Sequence, residues 1–243
     1  ARDWLQSLGV TDTTRGHTNF LQMVQAGVPL DLLVVVSERL GEFLPAASDP
    51  DMALNNLTRF IVASRSPLSL ATLFERDADA LKILVQIFSA SQHLSDLLIA
   101  DPESYDLLRM TGGQPIARET LVEEIWSALE PLEDDREAMA ALRRYKQRET
   151  LRIAYGDIIR QQRLETVTRQ ISFLADAITD AALRFCRRAA EAKRGTPLGP
   201  GDKPARLVAL GMGKLGGVEL NYSSDIDLIF LYDHEGSTDG QRT

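Results

Sequence analysis

Apolar residues recur three and four apart along most of this chain, the spacing of amphipathic helices. Leu54, Leu57 and Ile61 share one face of a helix opened by Pro50-Asp51 and running to about Ala63. Pro67 opens another, with Ser66 as N-cap. Leu81, Leu84, Val85 and Phe88, then Leu94, Leu97 and Leu98, repeat at the same spacing, and Asp101-Pro102 reads as a further helix start. Ahead of these, residues 1 to about 50 predict short helices broken at Gly9, Gly16, Gly27-Val28-Pro29 and Leu44-Pro45. After a break at Thr111–Pro115 come longer helices, from about Ile116 to Leu129, Glu133 to Gln161, and Leu164 to Lys193. In the last, Leu164, Val167, Ile171, Leu174, Ile178, Ala181 and Phe185 form an a/d seam. So short a seam, with helical neighbours in the same sequence, predicts packing in an intramolecular bundle rather than a coiled-coil dimer.

The pattern changes after Lys193. Residues 194–204, rich in glycine and proline, read as a linker or long turn. Two short apolar runs, Leu207–Leu210 and Leu228–Tyr232, have the length and residue types of buried strands. Between them lie Gly211, Gly213, Lys214, Gly216 and Gly217, then Ser223-Ser224-Asp225-Ile226-Asp227. Strand alternation puts Asp225 and Asp227 on one side and Ile226 toward the core. The expected organisation is a helical region over 1–112, a long-helix bundle and linker over 113–200, and the start of a third domain over 201–243.

Composition narrows the classes. The 243 residues are 44% hydrophobic and 26% charged, ordinary for a globular protein. A net charge of −8 argues against broad nucleic-acid binding, so no nucleic acid is expected as a partner. Cys186 stands alone, which rules out an internal disulfide and fits a reducing, cytoplasmic setting. Leu32–Val36 is too short to cross a membrane, and no membrane partner is expected. The chain starts at Ala1 without a signal-peptide pattern and stops in a polar loop, as a piece of something longer would. One helix departs from the acidic balance: Arg136, Arg143, Arg144, Lys146, Arg148, Arg152, Arg160, Arg163 and Arg169 face only Glu137, Glu149, Asp157 and Glu165. Either these make a solvated face laced with Glu–Arg pairs, or some reach phosphates or an acidic partner.

Two carboxylates one step apart at a strand end make a site for a hard divalent cation, and a glycine turn before them can offer N–H groups to phosphate. Together they point to phosphoryl or nucleotidyl chemistry. Gly211, Gly213 and Gly216 also match the dinucleotide fingerprint G-x-G-x-x-G. That motif needs a crossover helix, and only Gly217 to Ser224 separate the third glycine from Asp225, which is too short. A Walker A loop fails because no Gly-Lys-Ser/Thr closes the turn. His17, His93 and His234 show no ligand spacing, and Glu219 reads as a local cap.

A strand, the turn at Gly213-Lys214, and Asp225-Ile226-Asp227-Leu228 on the next strand together resemble the signature of the DNA-polymerase-β-like nucleotidyltransferases. Lys214 departs from it, standing where a small residue is usual. ALGMGKLGGVELNYSSDIDLIFLY, with PDMALNNLTRFI, LKILVQIFSASQHLSDLLIADPE and LRRYKQRETLRIAYGDI upstream, resembles the glutamine synthetase adenylyltransferase/adenylyl-removing family from about residue 50 onward. ELNYSSDIDLIF is more similar to that family's N-terminal, adenylyl-removing half.

The resemblance implies a mainly α fold, a helical bundle followed by the opening strands of an α+β polymerase-β-like nucleotidyltransferase domain. It implies phosphorolytic removal of AMP from a tyrosine of glutamine synthetase, giving ADP. Asp225 and Asp227 would be the catalytic Mg²⁺ (or Mn²⁺) ligands. Gly213, Gly216 and Gly217, with Ser224, would cradle phosphates, and Lys214 would place a point charge on a phosphate oxygen. ATP/ADP and phosphate would be the small substrates, and glutamine synthetase and the PII signalling protein the partners. The superfamily's third carboxylate is expected on a later strand; none precedes Thr243 by this reading, so the chain by itself is expected to be inactive. The alternatives are a helical docking module without activity and a different nucleotidyltransferase, such as a PII uridylyltransferase.

Overall fold

The computed structural model describes residues 2–240, and these fall in two compact units, one made of residues up to Gly113 with Ala154–Gln161, the other of Gln114–Ile153 with the residues from Gln162 onward. The architecture is mainly helical, with short strands confined to the C-terminal part, as the periodicity and the resemblance predict.

The first unit carries α1 (Arg2–Ser7), α2 (Thr13–Gln25), α3 (Leu30–Phe43), α4 (Pro50–Ala63), α5 (Pro67–Arg76), α6 (Ala78–Ala90), α7 (Gln92–Ala100) and α8 (Ser104–Thr111). Five of these helices start on a side chain that accepts a free first-turn N–H: Asp12, Asp49, Ser66, Asp77 and Ser91. Helix α4 is central. Its Leu54, Leu57, Phe60 and Ile61 are buried, and the Phe60 ring lies 5.6 Å from that of Phe88 and 6.0 Å from that of Tyr105. Asp51 ties α4 to the turn before α2, accepting from the Thr11 N–H and hydroxyl and from the Asp12 N–H.

Two expectations shift here. Gly16 does not break a helix; it lies within α2, where a Cβ would come within 3.1 Å of Leu5, so close helix packing is what needs the small residue. Asp101-Pro102 forms a turn, and α8 begins at Ser104, whose hydroxyl donates to Asp101.

The second unit is built on α9 (Arg118–Leu129), most of α10 (Asp135–Ile158) and α11 (Leu164–Arg194). Leu121, Ile125 and Leu129 share a core with Ala138, Ala141 and Tyr145, and with Val167, Leu174, Ala181 and Phe185 from the expected seam. Ile171 and Ile178 pack against it partly buried, whereas Leu164, in the first turn of α11, is 73% exposed. The seam is satisfied within the unit, as an intramolecular bundle requires.

After α11 come β1 (Pro197–Leu198), β2 (Leu207–Gly211), the single turn α12 (Gly213–Gly216), β3 (Leu228–Tyr232) and β4 (Ser237–Thr238). Strands β2 and β3 pair antiparallel with Leu207 opposite Tyr232 and Gly211 opposite Leu228. The stretch expected to be a linker contributes β1, which pairs with β4. A further difference concerns burial. Val208, Leu210, Ile229, Phe230, Leu231 and Tyr232, expected inside, are exposed, and Ile226 is 41% exposed rather than in a core. The physical reason is topological: among the described residues the sheet has two strands, and a two-stranded ribbon has no layer to bury its faces. No helix among the described residues is long and apolar enough to cross a membrane.

Candidate phosphate and metal site

The site is a turn between two paired strands. The Met212 N–H donates to the Asp227 carbonyl at 2.9 Å, closing the ladder where β2 ends and bringing the glycine turn against the second aspartate. Gly213 follows with φ +52°, a conformation that favours glycine. Asp227 Oδ2 lies 3.7 Å from where Gly213 would carry a Cβ. One turn of helix then runs to Gly216, where a Cβ would stand 2.5 Å from the Gly211 carbonyl oxygen.

The turn ends in a Schellman motif. Val218 N–H donates to Leu215 O at 3.0 Å, and Glu219 N–H to Lys214 O at 2.8 Å. The left-handed position, usually glycine, is held by Val218 at φ +58°. A β-branched residue there is strained, and such strain is tolerated only where the surroundings hold the backbone.

What holds it is a pair of anchors. Leu215 and Leu220 are buried while most of their neighbours are exposed. Leu220 N–H donates at 3.1 Å to the Ser172 hydroxyl on α11, and that hydroxyl donates to Thr168 O at 2.9 Å. Beyond Leu220, Asn221 Oδ1 accepts from the Ser223 N–H and the Ser224 hydroxyl, which turns the chain toward Asp225.

The expected site residues fall as follows. Gly213 and Asp227 are brought together, and Gly216, Gly217 and Lys214 belong to the same short turn. Asp225 and Asp227 are both exposed, separated by Ile226, on the segment entering β3. The Ser224 proton is taken by Asn221, so this hydroxyl meets any further partner only as an acceptor. Among the described residues no three His, Cys, Asp or Glu side chains cluster as a metal site. Mg²⁺ takes one or two protein carboxylates and completes its octahedron with substrate phosphates and water, and two exposed aspartates beside a glycine turn fit that donor set. Ser172, Val218, Leu215 and Leu220 were not legible as site-supporting residues.

The basic helix carries the expected Glu–Arg pairs. Arg148 pairs with Glu124 and Glu149, and Arg152 is buried on Glu149. Arg143, Arg144 and Lys146 are exposed and make no ion pair among the described residues.

Comparison with known proteins identifies the family. A family model described as glutamate-ammonia ligase adenylyltransferase matches residues 81–243. The bifunctional glutamine synthetase adenylyltransferase/adenylyl-removing enzyme of Pseudomonas aeruginosa is 37% identical over 202 residues, covering 82% of this chain and 20% of the relative. The enzyme of the same name from Nitrosococcus oceani is 38% identical over 193 residues, covering 78% of this chain and 20% of its own. The chain therefore spans about a fifth of the length of these relatives. It belongs to the glutamate-ammonia ligase adenylyltransferase family.

Proposed function

We propose that this chain carries the nucleotidyl-transfer turn of a bifunctional enzyme acting on glutamine synthetase, and that the turn serves phosphorolytic removal of AMP from an adenylylated tyrosine. In that reaction a phosphate oxygen attacks the α-phosphorus in line. The bond from phosphorus to the tyrosine oxygen breaks, the tyrosine takes up a proton, and ADP leaves. Charge builds on phosphoryl oxygens, so the site needs oriented donors and cations rather than a nucleophilic side chain.

The roles follow from placement. Asp225 and Asp227 would hold Mg²⁺ or Mn²⁺, which when bound neutralises charge on the phosphoryl oxygens. The backbone N–H of Gly213 would face phosphate and Lys214 would add a mobile positive charge, whereas the Gly216 and Gly217 N–H groups donate to the Met212 and Gly213 carbonyls and serve the turn itself. The observation that carries the reading is the closure of Met212 N–H on the Asp227 carbonyl, which sets a carboxylate beside the glycine turn. ELNYSSDIDLIF supports the removing rather than the adding half. The test is Asp225→Asn with Asp227→Asn in the full-length enzyme. Loss of AMP removal from adenylylated glutamine synthetase with retained addition from ATP is expected; equal loss of both would assign this turn to the wrong half.

A second reading, a helical docking module, has one observation behind it: the turn is carried on a ribbon whose apolar residues are exposed. Titration with Mn²⁺ and ATP separates the two. Saturable, metal-dependent nucleotide binding supports the formed site, and its absence with retained binding of glutamine synthetase supports the module.

A further inference from the structure

We infer that Ser172, on the long helix α11, is a positioning residue for the glycine turn and its aspartates; the inference rests on the function proposed above. Leu220 lies midway between the two halves of the site, four residues after Gly216 and five before Asp225. Its N–H reaches back to Ser172, whose side chain is 1% exposed, and both partners of the bond are buried. A buried N–H left without an acceptor is costly, so the loop is held where Ser172 is.

The hydroxyl is itself oriented. It donates to Thr168 O within α11 and so presents a lone pair outward to Leu220. Two residues earlier, Gln170 fixes α11 from another side. Its Oε1 accepts from the Ile116 N–H at 2.9 Å and from Arg152 at 3.0 Å, and its Nε2 donates to the Ile116 carbonyl at 2.8 Å. The N-terminal part of α11 is thereby locked to the segment before α9 and to α10, and Ser172 passes that lock to the loop.

On one side of Leu220 the strained Schellman turn at Val218 leads back to Gly213; on the other, the Asn221 turn leads to Asp225. Fixing Leu220 therefore sets the backbone at Gly213 and the carboxylates relative to each other. Nothing about the hydroxyl touches substrate. It acts by holding the backbone.

The experiment compares the full-length enzyme with its Ser172→Ala and Ser172→Thr variants. Amide hydrogen exchange is read over residues 213–225, and steady-state phosphorolysis of adenylylated glutamine synthetase is measured as a function of Mg²⁺. The expectation for Ser172→Ala is exchange on the order of tenfold faster in 213–225 alone. Its kcat falls by a similar factor, the Mg²⁺ concentration for half-maximal rate rises, and KM for the protein substrate is unchanged. Ser172→Thr, which keeps the hydroxyl, restores all three. Unchanged exchange in Ser172→Ala overturns the inference, as does faster exchange with kcat and Mg²⁺ requirement unmoved. If even the unaltered enzyme lacks phosphorolysis, the proposed function falls, and exchange in the two variants still decides the anchor.

Discussion

Arg152 Nε donates to Glu149 Oε2 at 2.6 Å, one turn apart on α10, with both side chains only 4% exposed. The pair is fully served: Arg152 also reaches the Gln114 carbonyl and Gln170, and Glu149 accepts from Arg148. Buried charges of this kind are costly to strand, and less costly to remove together. Arg152→Met is expected to destabilise by about 3 kcal/mol, with Arg148 limiting the loss. Adding Glu149→Leu is expected to return part of that stability. Urea unfolding monitored by circular dichroism reads both, and a double variant as unstable as the sum of the singles would contradict this account.

The glycine turn predicts two substitutions of opposite sign. Gly216→Ala drives a Cβ into the Gly211 carbonyl oxygen, a backbone atom that cannot rotate away. Phosphorolysis is expected to fall at least roughly tenfold while the helical melting transition holds, because the helices do not use this contact. Val218→Gly relieves a β-branched residue of a left-handed backbone, worth about 1 kcal/mol, and is expected to slow exchange of the Glu219 amide. Faster exchange in that variant would mean the valine side chain, not the backbone, holds the turn.

Acid should loosen the first unit through Asp51. Burial pushes this carboxyl up, but hydrogen bonds from the Thr11 N–H and hydroxyl and the Asp12 N–H, with the charge of Arg15, outweigh it and leave the group below its ordinary value of 3.8. The bond from Arg59 does the same for Asp96, against the opposing effect of desolvation. A carboxyl lowered in the fold contributes stability above its unfolded value, and that contribution is lost as pH falls through the folded value. Asp51→Asn is therefore expected to be less stable at neutral pH, with the gap from the parent protein closing below about pH 4. Denaturation series at pH 7 and pH 3 test it, and an equal gap at both would refute the linkage.

The helices were legible because their signals are local. Apolar spacing located α4, α9 and α11, and Ser66 and Pro67 marked a helix start that forms as expected. The two strands and the turn between them were legible for the same reason, and the distance from Gly217 to Ser224 excluded a crossover helix that is indeed missing there. What escaped was set by partners distant in sequence. Ser172 looks like any helical serine until Leu220 folds back on it 48 residues later. Val218 gives no hint of a left-handed backbone, because glycine is what that position normally advertises. Strand burial was misread because residue type signals affinity for a core, whereas burial needs a second layer.

That missing layer has a practical consequence. The outer edges of β2 and β3 carry backbone donors and acceptors with no strand beside them among the described residues, flanked by Val208, Ile229, Phe230 and Leu231. Open edges dressed in apolar side chains template strand addition. Preparations of these residues in isolation should scatter more light as concentration rises, and a lysine placed at Phe230 should suppress it.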